Sequence, residues 1–283
     1  MSSHEPQFFT VGIPPNQRRI AFRRRAPVRS GGAGFVWLCG YRSDMDSTKA
    51  SALDREAERL GLGLLRFDYS GHGRSSGRIE DGTISLWLQE ALALFRSESE
   101  GPQIAIGSSM GAHLALLLAR ALHESGDSER LKGLVLIAPA VDFTEALIWE
   151  QAPEAARRAI MEEGAWRPPS AYSDDPDCFT RALIEDGRKH LLLGGMIRTH
   201  CPVAVLQGMR DEAVPYTHAL KLMERLAGDP ATLTLVKDGD HRLSRPQDLK
   251  LLFDALKRMI EHATEAPLTS TPLQSGTDSV HAS

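Results

Sequence analysis

Cysteine is scarce in this chain: 283 residues include only Cys39, Cys178 and Cys201, and no two form a C-x-x-C pair. That count fits neither a disulfide framework nor a zinc ribbon, and reduced thiols in a cytoplasmic compartment are the expectation. Long apolar runs are also missing. The most apolar stretch, Leu114 to Leu122, is far shorter than the roughly 20 residues needed to cross a bilayer, so no transmembrane segment is expected. No sign of charge dominates, with 33 Lys+Arg against 37 Asp+Glu and a net charge of −4. A nucleic-acid partner, which calls for a basic stripe, is therefore not expected. The opening MSSHEPQFFTVGIPP carries Glu5 and lacks the apolar core of a secretory signal. The cluster Arg23-Arg24-Arg25 reads as part of an edge strand with exposed charges. Neither G-x-G-x-x-G nor a Walker lysine is present. The glycine-rich FDYSGHGRSSG (Phe67 to Gly77) is accordingly expected to be a tight loop held by Asp68 and its glycines rather than a nucleotide cradle.

What is present has a clear rhythm. GFVWLCG, LGLLRFDY, QIAIGSS, GLVLIAP, VAVLQGM and TLTLVKDG are short, nearly continuous apolar runs, the pattern of strands buried on both faces of a parallel sheet. Helical patterns separate them at 47–60, 83–96, 110–123, 216–226 and 247–261. Alternating strands and helices imply βαβ units with right-handed crossovers and an α/β fold. FFTV and RRIAFRRR, with PPN between them, read as an antiparallel hairpin added at the edge. From Asp142 to His200 the rhythm stops. That stretch holds no convincing strand, only helical patterns at 143–163 and 176–193 around WRPPSAYSDD, and it is expected to form a helical cap (about 142–200) over the carboxyl edge of the sheet. Residues 1–263 thus form one domain with an inserted cap. The Ser/Thr/Pro-rich remainder, 264–283, is expected to be a disordered tail.

The strongest local signal is Gly107-Ser108-Ser109-Met110-Gly111, a G-x-S-x-G match directly after a strand and directly before a helix. In that context it reads as a nucleophile elbow, with Ser109 raised at the end of the strand and small residues flanking a sharp turn. A serine hydroxyl needs a base to take its proton and an acid to orient the base. Downstream, VAVLQGMRDEAVP puts Asp211 just after one strand, and TLTLVKDGDHR puts His241 just after the next. The order Ser, Asp, His is that of this architecture, which makes Ser109 the nucleophile, His241 the base and then acid, and Asp211 the orienting carboxylate. Asp142, after VLIAPAVD, is the competing acid. His113 is expected to pack near the site without titrating, and His190, His200 and His218 to lie on cap or helix surfaces. An oxyanion needs two backbone donors; Met110, after the nucleophile, and Tyr41, after Cys39-Gly40, are the candidates. Cys39 is expected to be a packing residue. Tyr41, Ile148, Trp149, Trp166 and Tyr172 are candidates to line an acyl pocket, with packing inside the cap as the competing role for the cap residues.

FDYSGHGRSSG, GSSMGAHLAL, QGMRDEAVP and GDHR together resemble the α/β-hydrolase superfamily. More closely, GYRSDMDSTKA, GSSMG, GAWRPPSAYS and QGMRDEAVPY are similar to the group of serine hydrolases called abhydrolase domain-containing protein ten. The resemblance spans about Gly34 to Leu256. It implies an eight-stranded, mostly parallel sheet, a Ser109–Asp211–His241 triad, and action on acyl esters or thioesters, since the animal members look like palmitoyl-protein thioesterases and acyl-glucuronide esterases. No metal or organic cofactor is expected. The expected partner is a small-molecule or lipid-like acyl substrate, or an acylated protein. The animal members carry a mitochondrial presequence, whereas a first strand starting near Phe8 leaves no room for one here. The superfamily's frequent His-Gly oxyanion motif reads Cys39-Gly40. C–C bond hydrolysis, acyl transfer on the same triad, and a non-catalytic binding module are the competing functions.

Overall fold

The computed structural model describes residues 5–29, 32–170 and 175–264; the expected tail from 265 onward lies outside the described residues. Strands β1 (Gln7–Val11) and β2 (Arg18–Arg25) form the antiparallel hairpin. Then follow β3 (Gly34–Leu38), α1 (Thr48–Leu60), β4 (Gly63–Phe67), α2 (Ile84–Glu98), β5 (Gln103–Ser108), α3 (Met110–Glu124) and β6 (Leu131–Ile137). One eight-stranded sheet results, ordered β1-β2-β4-β3-β5-β6 and completed by two later strands described below. Its pairings are parallel except those of β2 with β1 and β4. Every residue of β3, β4 and β5 is buried, as nearly continuous apolar runs require of strands covered on both faces.

The chain passes from β3 to β4 on one side and then back across β3 to β5 on the other. Right-handed crossovers therefore place α1 and α2 on opposite faces, and a crevice opens at the carboxyl ends of β3 and β5, where the winding direction reverses. The register Leu38↔Gly107 brings the loop after β3 level with the turn after β5.

After β6 comes the inserted region: a π-helical turn (Phe143–Trp149), α4 (Glu154–Arg158), a second π-helical turn (Ala159–Glu163), β7 (Ala165–Trp166), β8 (Phe179–Thr180) and α5 (Arg181–Gly187). Two sequence expectations need correction. Strands do occur there, since β7 and β8 pair antiparallel through Ala165↔Thr180 and Trp166↔Phe179, but each has two residues, too short for any periodicity to register. The first helical pattern is also broken: Pro153 stands at the start of α4, where its missing amide ends the preceding turn. The second helix begins at Arg181 rather than at Pro176. The Asp142 carboxylate accepts hydrogen bonds from the Leu192 and Leu193 amides at 2.8 and 2.9 Å, drawing the two ends of the insertion together.

The chain then returns to the sheet as β9 (Val203–Gly208), α6 (Tyr216–Arg225), β10 (Ala231–Val236) and α7 (Pro246–Thr264). β10 is the far edge strand, parallel to β9, and none of its residues is fully buried, only Thr232 and Leu235 being exposed. At the other edge β2 is not the outermost strand, because β1 covers it. Its arginines are paired instead of bare: Arg24 with Glu100 at 2.6 Å, Arg25 with Asp54 at 3.0 Å and Arg23 with Asp46 at 3.2 Å. Leu134, in the central β6 between Ala105 and Val203, is fully buried. Leu134→Ala should lower unfolding stability by about 2–5 kcal/mol, read as a shifted urea midpoint with an unchanged slope.

Candidate active site

The turn from β5 into α3 leaves no room for side chains at its flanks. A Cβ on Gly107 would sit 2.3 Å from the Gly111 carbonyl oxygen, and one on Gly111 would sit 2.1 Å from that of Leu38. Between them Ser109 takes φ 56° and ψ −119°, a conformation that L-residues adopt only when the surroundings impose it. Its amide donates to the Ile137 carbonyl at 2.8 Å, which anchors the turn on β6.

A second close approach aligns the other two loops. A Cβ on Gly208 would lie 2.4 Å from the Gly239 carbonyl oxygen, and the Arg210 amide donates to that same carbonyl at 2.9 Å. The loops after β9 and β10 are thereby pressed together, with Asp211 on one and His241 on the other. His241 Nδ1 lies 2.8 Å from Asp211 Oδ2, and His241 Nε2 lies 3.1 Å from Ser109 Oγ. A carboxylate only accepts, so Nδ1 carries the proton and Nε2 is left to accept from the serine hydroxyl. The Asp211 side chain is fully buried. Its Oδ1 accepts from the Ala213 and Val214 amides at 3.0 and 2.8 Å, and its Oδ2 also accepts from Gln207 Nε2 at 3.1 Å. Gln207 has no counterpart among the sequence expectations; its one signal is a polar residue inside the buried run VAVLQG.

Asp142, the competing acid, is committed elsewhere, to the two amides of the insertion. His113 is buried beside it and its Nδ1 accepts from the Asp142 amide at 3.3 Å. Burial drives the His113 pKa down to about 3. His218, expected on a surface, is buried instead, with Nε2 2.7 Å from the Val141 carbonyl oxygen; His200 is exposed and His190 half-buried. All three cysteines are free and buried, and burial raises the Cys39 thiol well above its ordinary range. Asp68 holds the glycine-rich loop through the Met45 and Arg74 amides at 2.7 and 2.9 Å.

At the end of β3, Gly40 packs against Ser109: a Cβ there would lie 3.3 Å from Ser109 Cβ. Among the described residues no hydrogen bond takes up the amide of Tyr41 or of Met110. The Tyr41 hydroxyl donates to the Cys178 carbonyl, its ring stacks on Phe179 at 5.6 Å, and Arg42 donates to the Pro176 carbonyl. The segment leading into β8 thus ties down the loop after β3.

A cavity of about 580 Å³ opens at Ser109 and His241. Tyr41, Ile148 and Trp166 line it as expected, joined by Phe143, Leu147 and Phe179, which the sequence did not single out. Phe143 and Leu147 are four residues apart in the sequence, a spacing that was there to be read. Trp149 does not line the cavity; its ring lies under the Arg188 guanidinium at 4.8 Å, and the Arg157 guanidinium is 5.7 Å away. Tyr172 lies outside the described residues. Polar side chains, Ser43, Ser47, Lys49 and Ser244 among them, line it as well.

Residues 30–255 match the model of the Alpha/beta hydrolase family. Bovine palmitoyl-protein thioesterase ABHD10, mitochondrial, is 32% identical over 87% of this chain and 78% of its own length. A putative hydrolase structure from Agrobacterium vitis S4 superposes with a TM-score of 0.88 at 49% identity, covering 90% of this chain and 98% of that one. Alpha/beta hydrolase domain-containing protein 10 from mouse gives a TM-score of 0.78 at 30% identity over the same shares.

The buried His113 makes stability pH-dependent in a definite direction. An unfolded histidine binds its proton below about pH 6.5, whereas native His113 stays neutral down to about 3. Between those values the unfolded chain binds more protons, so this group lowers stability as pH falls. Between pH 6.5 and 5 the wild type should lose about 1.5 kcal/mol more than His113→Gln, measured by urea unfolding at both pH values.

Proposed function

The chain belongs to the α/β-hydrolase family, and from that membership we propose that it is a serine hydrolase cleaving carboxylic esters or thioesters through an acyl-enzyme. The observation that carries this reading is the unbroken line from Asp211 through His241 to Ser109, at 2.8 and 3.1 Å.

Ser109 Oγ attacks the acyl carbonyl while His241 Nε2 takes its proton, and Asp211 steadies the imidazolium that forms. The carbonyl oxygen becomes an oxyanion at the start of α3, where the Met110 amide and the helix dipole favour negative charge. The Tyr41 amide is the second donor. His241 then gives its proton to the departing alcohol or thiol. Water enters, His241 activates it, and the acid leaves with Ser109 restored. The acyl chain occupies the apolar wall of the cavity formed by Phe143, Leu147, Ile148, Trp166 and Phe179. The similarity to proteins named palmitoyl-protein thioesterase supports an acyl thioester among the substrates.

A fluorophosphonate probe should label the wild type and not Ser109→Ala. Asp211→Asn should lower kcat by about 10³–10⁴-fold on a short-chain ester, with Asp142→Asn costing far less; a larger loss at Asp142 would refute the assignment of the acid. A panel of esters and thioesters of increasing chain length, none of them turned over, would sink the reading as a whole.

A further inference from the structure

β9 is buried at every position, yet it carries Gln207, which exposes no surface at all. A side-chain amide in such a place is favourable only when both of its ends find partners. Gln207 meets that condition at one end. Its Nε2 faces three oxygens, Asp211 Oδ2 at 3.1 Å and the Gly208 and Val214 carbonyls at 3.0 Å each. Its Oε1 is buried and has no hydrogen-bond partner among the described residues. Turning the amide over would set Oε1 against the same three oxygens, none of which donates, so the orientation is fixed. An apolar side chain of equal length would fill the space without leaving an acceptor unmet. A half-satisfied amide in the core points to a task for its satisfied end.

That end acts on the oxygen that faces the base. Asp211 Oδ1 is held by the Ala213 and Val214 amides at 3.0 and 2.8 Å, within its own loop. Oδ2 has two partners, His241 Nδ1 at 2.8 Å and Gln207 Nε2. The local amides fix one oxygen, about which the carboxylate is still free to turn. Gln207 supplies a second point, from the strand rather than the loop, and two points set the direction in which Oδ2 meets Nδ1. Its bond to the Val214 carbonyl also ties the far side of the Asp211 loop to the end of β9. Gln207 is not among the described residues that line the cavity, so its effect on the reaction passes through Asp211 and its loop.

We propose that Gln207 is a positioning residue for the Asp211 carboxylate, holding Oδ2 toward His241 Nδ1 while the imidazole gains and loses its proton. The inference rests on the hydrolase reading above. When His241 Nε2 takes the serine proton, the imidazolium is drawn to Oδ2; when that proton passes to the leaving group, the pull relaxes. The bond from Gln207 does not depend on the charge of the ring, and the carboxylate keeps its direction throughout the cycle.

Gln207→Met keeps the length of the side chain and removes the donor. On para-nitrophenyl butanoate it should lower kcat by about tenfold, as befits one hydrogen bond to a carboxylate, and leave KM unchanged, with urea unfolding showing that the variant is folded. The same substitution made on Asp211→Ala should lower kcat by no more than about twofold, because the group it positions is gone. An unchanged kcat in Gln207→Met, or a loss that appears as a higher KM, overturns the proposal. A larger loss on Asp211→Ala also overturns it, since Gln207 then acts on the packing of the strand and not on the carboxylate. If Gln207→Met does not fold, Gln207→Leu takes its place in both comparisons; if neither folds, Gln207 is a structural residue and the proposal fails. A wild type that neither turns over the ester nor reacts with a fluorophosphonate removes the hydrolase reading and this role with it. An active wild type with an indifferent Gln207 removes this role alone.

Discussion

The arrangement depends on how closely α3 is pressed against the sheet. Hydrogen atoms at positions 107 and 111 let the first turn of α3 come within contact distance of the ends of β5 and β3, a space in which any Cβ would collide with backbone. That approach forces Ser109 into positive φ and holds its hydroxyl clear of the turn. The strain is met by the packing of a helix almost wholly buried along its length, so the turn cannot relax without losing core contacts. A rigid point at the reversal of strand order follows, and the other groups are arranged about it.

A similar device recurs at the other side of the crevice. Gly208 lets the loop after β10 rest on the end of β9, which sets the Asp211–His241 hydrogen bond, while Gln207 and two backbone amides hold the carboxylate from the remaining directions. The third loop, after β3, is steadied from above, through Tyr41 and Arg42, by the segment leading into β8. Insertion and sheet therefore share one cavity, lined by apolar side chains such as Phe143, Leu147 and Trp166 and by polar ones such as Ser43, Lys49 and Ser244.

Much of this was legible in the chain. Nearly continuous apolar runs identify β3, β4 and β5 because strands covered on both faces tolerate little else, and G-x-S-x-G with its flanking strand and helix locates the elbow because the steric demand there is local. The cap was less legible. Its strands are two residues long and two of its helical segments are π-turns, lengths at which periodicity carries almost no information. Edges misled as well: the arginines of β2 are neutralised by acids from distant segments, 29 residues away for Asp54 and 76 for Glu100.

The sequence by itself determined the α/β class, the order Ser109, Asp211, His241 along the chain and their positions just past strand ends, since each follows from short-range backbone and side-chain constraints. Tertiary structure alone decided which groups meet. Asp211 rather than Asp142 reaches His241, because Asp142 is spent closing the insertion. Trp166 faces the cavity while Trp149 turns to Arg188. Lys49 comes to line the same cavity as His241 although 192 residues separate them in the chain. Facing is a property of packing between elements, and no local pattern encodes which side of a helix or loop another part of the chain will cover.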